Sequence, residues 1–326
     1  MHTGQHYDYE MSKIFFRELK IPKPHFYLGA NNPSRIKRLA QVITSFEKLC
    51  KKHNPALIIV VGDVDSTLAC ALASKHLNIR LAHVEAGLRS FDTTMPEEIN
   101  RIITDHLSDI LFTTCKDADI NLKREGISTE KIFFVGNIMI DTLIRYKKRA
   151  AALKTYKKTR CARKNYALLT LHRPENVDNN RKLKHIFIVL SEVSKKIPII
   201  FPCHPRTANR IKKDKIKVVN RIKINPPLGY LDFLNLMINS KFILTDSGGI
   251  QEEATVLKVP CLTLRNNTER PITVKEGTNI IIGTNKKKII QATDRILNNN
   301  RKEIKIPEFW DGKTAKRIID KLVEKL

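Results

Sequence analysis

Short β-branched runs alternate with helical patterns along the chain, and this alternation restricts the fold more than any other feature. Two parallel strands cannot be joined by a hairpin, so a repeated strand–helix–strand order builds parallel sheets. In the first half, Leu57–Val61, Arg80–Val84, Ile110–Thr113 and Lys131–Val135 read as buried strands. Ser34–His53, Ser66–His76, Pro96–Leu107 and Cys115–Arg124 read as the helices around them. A helical stretch from Met139 to about Ala152 leads into a Lys/Arg-rich connector, Lys154–Lys164. A second series follows: Tyr166–Thr170, Pro198–Phe201, Ile216–Val219, Phe242–Thr245, Cys261–Thr263 and Asn279–Ile282 as strands, with Asn180–Lys196 and Leu231–Ser240 as helices. The fold class is therefore α/β, with two facing, doubly wound, Rossmann-like lobes. The first spans residues 1–150 and the second 151–312, and the amphipathic stretch Lys313–Leu326 closes the chain.

A length of 326 residues is enough for two cores. No apolar run reaches the roughly 18–20 residues of a membrane helix, and the polar start Met1–His6 carries no apolar signal core. Cys50, Cys70, Cys115, Cys161, Cys203 and Cys261 are scattered without a Cys-x-x-Cys pair, as free thiols in a reducing compartment are. A cytoplasmic protein without membrane contact is expected. The net charge is +26, an excess that no single small anionic ligand balances. The lysines fall in dispersed runs on helix surfaces, such as Lys51-Lys52, Lys147-Lys148 and Lys286–Lys288. Few aromatics interleave them, which weighs against nucleic acid.

In open parallel sheets, ligands sit beyond the carboxyl ends of the strands. Polar groups gather at that position here: Asp63, Glu85, His172-Arg173, His204 with Arg206, and Asp246-Ser247. Each alone reads as a turn or cap, whereas five together point to a cleft between the lobes. Ser247-Gly248-Gly249 is the sharpest local signal. Two glycines before a helix starting near Ile250 let backbone approach a phosphate, and the helix N-terminus supplies free N–H groups. Glu252 and Glu253 then either complement the macrodipole or accept ribose hydroxyls. Thr94–Arg101 reads as a helix start with Thr94 as candidate N-cap and Pro96 in the first turn. Glu97 and Arg101 share a face, as a surface ion pair or as a carboxylate positioned by an arginine. His83 and His106 read as core or helix histidines. No cluster has metal-ligand spacing, and no cofactor is expected.

Together these segments resemble the non-hydrolysing UDP-N-acetylglucosamine 2-epimerase family. The residues that carry the resemblance are Thr3-Gly-Gln-His6, Gly62-Asp63, His83–Arg89, Pro96–Arg101, Thr170–Asn176, Thr245–Glu253 and Thr268–Pro271, in the family's order. The resemblance implies the two-lobed architecture shared with many glycosyltransferases (GT-B-like), a last helix that crosses back to the first lobe, and a homodimer. It implies interconversion of UDP-GlcNAc and UDP-ManNAc through loss and return of UDP. By motif, Asp63, Glu85 and Glu97 match the catalytic carboxylates, His172 the catalytic histidine and Arg101 the arginine that orients or charges the site. Ser247, Gly248, Gly249, Glu253 and Arg270 match the UDP-binding set, to which His204 is added.

Two features depart from the family's pattern. The family's opening strand and Gly-Thr-Arg-Pro-Glu loop do not precede Thr3–His6, so the first lobe is expected to lack its N-terminal strand, with instability or inactivity as a consequence. Asp8, beside the Thr-Gly-Gln-His loop, predicts weak activation by UDP-GlcNAc. Three alternatives stay open: a glycosyltransferase of the same fold, a basic nucleic-acid-binding protein, and a truncated inactive paralogue. The exact sugar, GlcNAc or a modified relative, is not fixed by the sequence.

Overall fold

The computed structural model describes residues 1–4, 9–300 and 303–325. Gln5–Asp8, which carry half of the Thr-Gly-Gln-His motif and the expectation placed on Asp8, lie outside the described residues. Two compact units emerge, Met1–Asp141 with Asp311–Leu326, and Thr142–Trp310. The change between them falls inside the helix Ile138–Ala151 rather than after it. The hydrogen bonds of that helix explain the position. Its Asp141 carboxylate accepts from the backbone N–H of Thr314 and Ala315, at 3.1 and 2.8 Å, at the start of the helix Thr314–Lys325. At its other end the Ala150 carbonyl accepts from Asn235 Nδ2 of the second unit at 2.9 Å.

The first unit holds β1 (Leu57–Val61), β2 (Arg80–Ala86), β3 (Ile110–Thr113) and β4 (Ile132–Phe134), parallel and in sequential order. β1 is an edge, and Ile59 and Val61 on it stay exposed. On one face, Ile58 and Val60 pack with Val42, Phe46 and Cys50 of the Arg35–His53 helix. Ser34 caps that helix, its hydroxyl accepting from Lys37 N at 3.5 Å. On the other face, Ile318 and Leu322 bury against Ala82, Val84, Ile110 and Phe112, so the end of the chain completes this core. Outside the sheet, His2 makes a parallel bridge to Tyr27. His2 and Thr3 therefore pair with the segment Phe26–Ala30.

The second unit holds β5 (Ala167–Thr170), β6 (Ile199–Pro202), β7 (Ile222–Asn225), β8 (Phe242–Thr245), β9 (Cys261–Thr263) and β10 (Asn279–Ile281). The strand order is β10-β9-β8-β5-β6-β7, all parallel. The direction of winding reverses between β5 and β8, and ligands bind at such switch points in open α/β sheets. His172 follows β5 and Asp246–Gly248 follow β8, so both stand there. The expected strand Ile216–Val219 is coil; the strand is Ile222–Asn225 instead. Ile216, Val218 and Val219 still pack against the core, but a turn from Val219 O to Ile222 N at 2.9 Å starts the chain on its ladder with β6 only afterwards. Apolar burial in a surface loop imitated a strand.

Candidate functional site

In the first unit the site residues hang from two bends. Gly62 follows β1 at φ 69°, and its N–H donates to Val84 O at 3.0 Å. Asp63 comes next, half-buried, with its carbonyl held by Asn100 Nδ2 at 2.8 Å. Its carboxylate pairs with the buried guanidinium of Arg101, which also pairs with the buried Glu98. Arg101 therefore positions Asp63, and its helical partner is Glu98 rather than Glu97. Glu98 in turn closes the loop ahead of its helix, accepting from Ser90 N and Phe91 N at 3.0 and 2.8 Å. Thr94 is not the cap of that helix. Met95 holds the N-cap position before Pro96, and the Thr94 hydroxyl turns to Asp92 at 2.6 Å. Glu97 is half-buried in the first turn and lies within the electrostatic reach of Arg35.

Glu85 sits in β2 where the register with β3 slips between Val84 and Ala86. Its φ is +77°, a conformation that costs a non-glycine residue about 1–3 kcal/mol. A bulge of this kind re-aims a side chain, and a Cβ on Gly62 would meet Glu85 Oε2 at 3.9 Å. The carboxylate of Glu85 is thus turned toward the Gly62-Asp63 bend. Beneath it lies a buried ionic lattice. His83 Nδ1 is 2.6 Å from Asp105 Oδ1 and its Nε2 is 2.9 Å from Gly62 O. Both ring nitrogens face acceptors, which suits a protonated imidazole. Burial alone would lower the His83 pKa, but the Asp105 charge and hydrogen bond raise it above the ordinary value. Arg89 completes the lattice, reaching Asp105 at 2.7 Å and Glu125 at 2.6 Å.

In the second unit, Ser247 is the N-cap of the helix Gly248–Val256, so both glycines are inside the first turn rather than ahead of it. Gly248 has a second reason to lack a side chain: a Cβ there would meet Arg270 and Glu269 at 2.5 Å. Those two belong to a buried network. Arg270 reaches Glu269 at 2.6 Å and Glu252 at 3.0 Å; Glu269 also takes Arg265 at 2.8 Å and Arg173 at 3.5 Å. Arg270 and Arg173 thus stand close behind the helix start, whose N-terminus is a positive dipole end. Glu252 therefore serves Arg270. Glu253 is buried on the same turn and accepts from the Tyr230 hydroxyl at 2.7 Å. Burial pushes its carboxyl up to about 7, against the opposing pull of Tyr230.

His172 is half exposed, with Nδ1 3.0 Å from Asp246 Oδ1. Asp246 is fully buried and also accepts from the backbone N–H of His172 and Arg173 and from Asn176 Nδ2, at 3.1–3.2 Å. His204 is the N-cap of the helix Pro205–Lys213, with its Nδ1 accepting from Arg206 N at 3.2 Å. Among the described residues, no helix is long and apolar enough to cross a membrane.

The chain matches known proteins over nearly its whole length. The profile of the family described as UDP-N-acetylglucosamine 2-epimerase matches residues 1–323. The chain belongs to that family. The UDP-N-acetylglucosamine 2-epimerase of Methanocaldococcus jannaschii is 46% identical over 328 residues, covering 98% of this chain and 89% of that protein. A crystal structure of the M. jannaschii UDP-GlcNAc 2-epimerase, in complex with UDP-GlcNAc and UDP, superposes with a TM-score of 0.92 at 46% identity, covering 99% of this chain and 91% of that one. A UDP-2,3-diacetamido-2,3-dideoxy-D-glucuronate 2-epimerase of Pseudomonas aeruginosa is 39% identical over 295 residues, 90% of this chain and 82% of that protein.

Several groups in this epimerase-family chain were not singled out by sequence reasoning. Tyr230 lies in another helix from Glu253, so no local pattern joins them. Glu269 entered only as part of the segment Thr268–Pro271, and Arg265 was not singled out. Arg173 stood beside His172 without a role, and its guanidinium toward Glu269 supplies one. Glu98 was read only as the neighbour of Glu97. A pattern of adjacent carboxylates four and three residues ahead of a buried arginine carries that signal.

Proposed function

We propose that this protein is an isomerase that interconverts UDP-GlcNAc and UDP-ManNAc. The observation that carries the reading is the helix start at Ser247–Gly249, backed by Arg270 and Arg173 at the switch point, in a chain 46% identical to the M. jannaschii epimerase along 98% of its length. The chemistry explains the residues. The C2 proton of the sugar has no adjacent ketone, so direct deprotonation is slow. Breaking the anomeric C–O bond as C2 loses its proton expels UDP and leaves a glycal. UDP then adds back to C1 while a proton reaches C2 from the opposite face. Acid and base groups at C2 are required, with stabilisation of the departing diphosphate.

Asp63, Glu85 and Glu97 supply the proton-transfer groups in this reading, and Arg101 holds Asp63 in place. Ser247, Gly248 and Gly249 hold the diphosphate, with Arg270 and His204 beside them and His172 acting on the leaving group. Glu253 accepts the ribose hydroxyls. In this reading the reaction needs no metal or cofactor and leaves nucleic acid without a part. A homodimer and a cytoplasmic setting belong to the same reading, by resemblance to the family.

Incubation with UDP-GlcNAc in deuterated water tests it. The expected result is UDP-ManNAc with deuterium at C2 of both sugars. Product without deuterium would overturn the elimination route. Turnover of UDP-2,3-diacetamido-2,3-dideoxy-D-glucuronate with no turnover of UDP-GlcNAc would replace the substrate. Transfer of the sugar to an acceptor would favour the glycosyltransferase alternative.

A further inference from the structure

We propose that Asp246 is the positioning residue for His172, fixing the tautomer and the aim of its imidazole so that only Nε2 is presented to the substrate. The inference rests on the reading of His172 as a catalytic residue and deepens it. Asp246 follows β8 and His172 follows β5, so the pair joins the ends of the two central strands of the second sheet. The strands are locked together just below it by the Thr170 and Thr245 hydroxyls, 2.6 Å apart.

The environment of Asp246 is built for an anion. Burial would raise its pKa, but the His172 side chain, Asn176 and the Arg173 backbone N–H together hold the carboxyl below the ordinary range. These donors and the His172 backbone N–H occupy both carboxylate oxygens. The nearby guanidinium of Arg173 is directed to Glu269, so it does not compete. A buried carboxylate 3.0 Å from Nδ1 requires a proton on that nitrogen. Nε2 is then the atom left for the substrate, as a donor when the ring is charged and an acceptor when it is neutral. A histidine oriented by a buried aspartate is the arrangement that makes a general acid–base or a leaving-group donor reproducible from turnover to turnover.

Asp246→Asn tests the assignment. An amide keeps the size of the side chain, and with its oxygen held by the Arg173 and Asn176 donors its N–H faces Nδ1, which favours the Nε2–H tautomer. In a serine protease the equivalent change costs about four orders of magnitude in kcat, and we expect a kcat loss of about 10²–10⁴-fold with KM for UDP-GlcNAc changed by less than about threefold. His172→Asn and the double variant run alongside. The double variant is expected to be no slower than His172→Asn alone, because Asp246 acts through His172. Losses that multiply overturn the assignment, as does retention of kcat in Asp246→Asn while His172→Asn is slow. If His172→Asn itself keeps wild-type kcat, the catalytic role of His172 fails and the positioning role falls with it. One measurement needs no variant of Asp246. Nitrogen-15 spectra of the wild-type protein, assigned with His172→Asn, are expected to show neutral His172 as the Nδ1–H tautomer, and an Nε2–H tautomer overturns the proposal.

Discussion

Glu253 is held where folding alone would not put a carboxylate. It is buried, it accepts from the Tyr230 phenol, and burial pushes its carboxyl up to about 7. A carboxyl whose native pKa lies above its unfolded value contributes most below the unfolded value, and stability is lost as pH rises through the native one. The gap between 4.5 and about 7 corresponds to about 3 kcal/mol lost by pH 8. Glu253→Gln is therefore expected to raise thermal stability at pH 8 by that order, with the gain shrinking to about 1 kcal/mol near pH 5. The same variant should bind UDP more weakly, by about tenfold or more, if the carboxylate takes the ribose hydroxyls. Calorimetric scans at the two pH values, with UDP titrations beside them, check both halves. Unchanged stability at pH 8 would mean that the carboxyl carries no desolvation cost. Glu253 was legible in the sequence as a carboxylate in a helix's first turns, and Asp246 as a polar residue after a strand. Their partners were not legible. Tyr230 is 23 residues from Glu253 and His172 is 74 from Asp246, and only the strand order β8-β5 makes the second pair neighbours.

β2 shows how one element places a proposed proton-transfer group, Glu85, by accepting local strain. Its bulge at Glu85 and the turn at Gly87 are held from both sides. Gly87 N donates to Asp105 at 3.1 Å, and Asn121 donates to Gly87 O at 3.0 Å. Gly87 has φ +79°, and a Cβ there would meet the Ala118 carbonyl oxygen at 2.6 Å. Backbone cannot yield as a flexible side chain would, so Gly87→Ala should cost about 2–4 kcal/mol. A lower urea midpoint with most of the soluble protein still folded is the expected result. Asp105→Asn removes one charge from the buried lattice and leaves His83 and Arg89 under-compensated, at a cost of about 3–5 kcal/mol. The His83 part of this has a pH signature. Its native pKa is raised above 6.5, so its contribution is complete below that value and is lost as pH rises through the native one. Urea midpoints of wild type and Asp105→Asn should converge on the alkaline side. A constant difference from pH 6 to pH 9 would mean that the imidazole is not charged in the native state. From the sequence, most strands were legible because buried parallel strands are continuous apolar runs. The bulge was not, since the run Arg80–Val84 gives no sign that pairing continues to Ala86 with a slipped register. β7 was misplaced for the converse reason: as an edge strand reading Ile-Lys-Ile-Asn, it looks less like a strand than the buried coil before it.

At the scale of the whole chain, the first unit is completed by a segment far along the sequence, Asp311–Leu326. Ile318 and Leu322 bury against β2 and β3, Asp141 caps the helix that carries them, and Arg317 reaches Val135 O at 3.1 Å. Asp63, Glu85 and Glu97 all lie in that unit, whereas Ser247–Glu253 and Arg270 lie in the other. The two halves of the proposed chemistry therefore rest on separate cores. Ile318→Ala with Leu322→Ala should remove about 2–5 kcal/mol per side chain from the first core and little from the second, where the buried cluster from Ala167 to Ile296 shares no residue with them. Mild denaturant is then expected to abolish epimerisation in the double variant while UDP still protects the second unit. Hydrogen exchange reads the two directly, with β1–β4 amides losing protection at denaturant concentrations that leave β5–β10 intact. Simultaneous loss of protection in both sheets would mean that the units unfold as one cooperative body. The terminal helix would then stabilise the whole chain rather than its first unit alone.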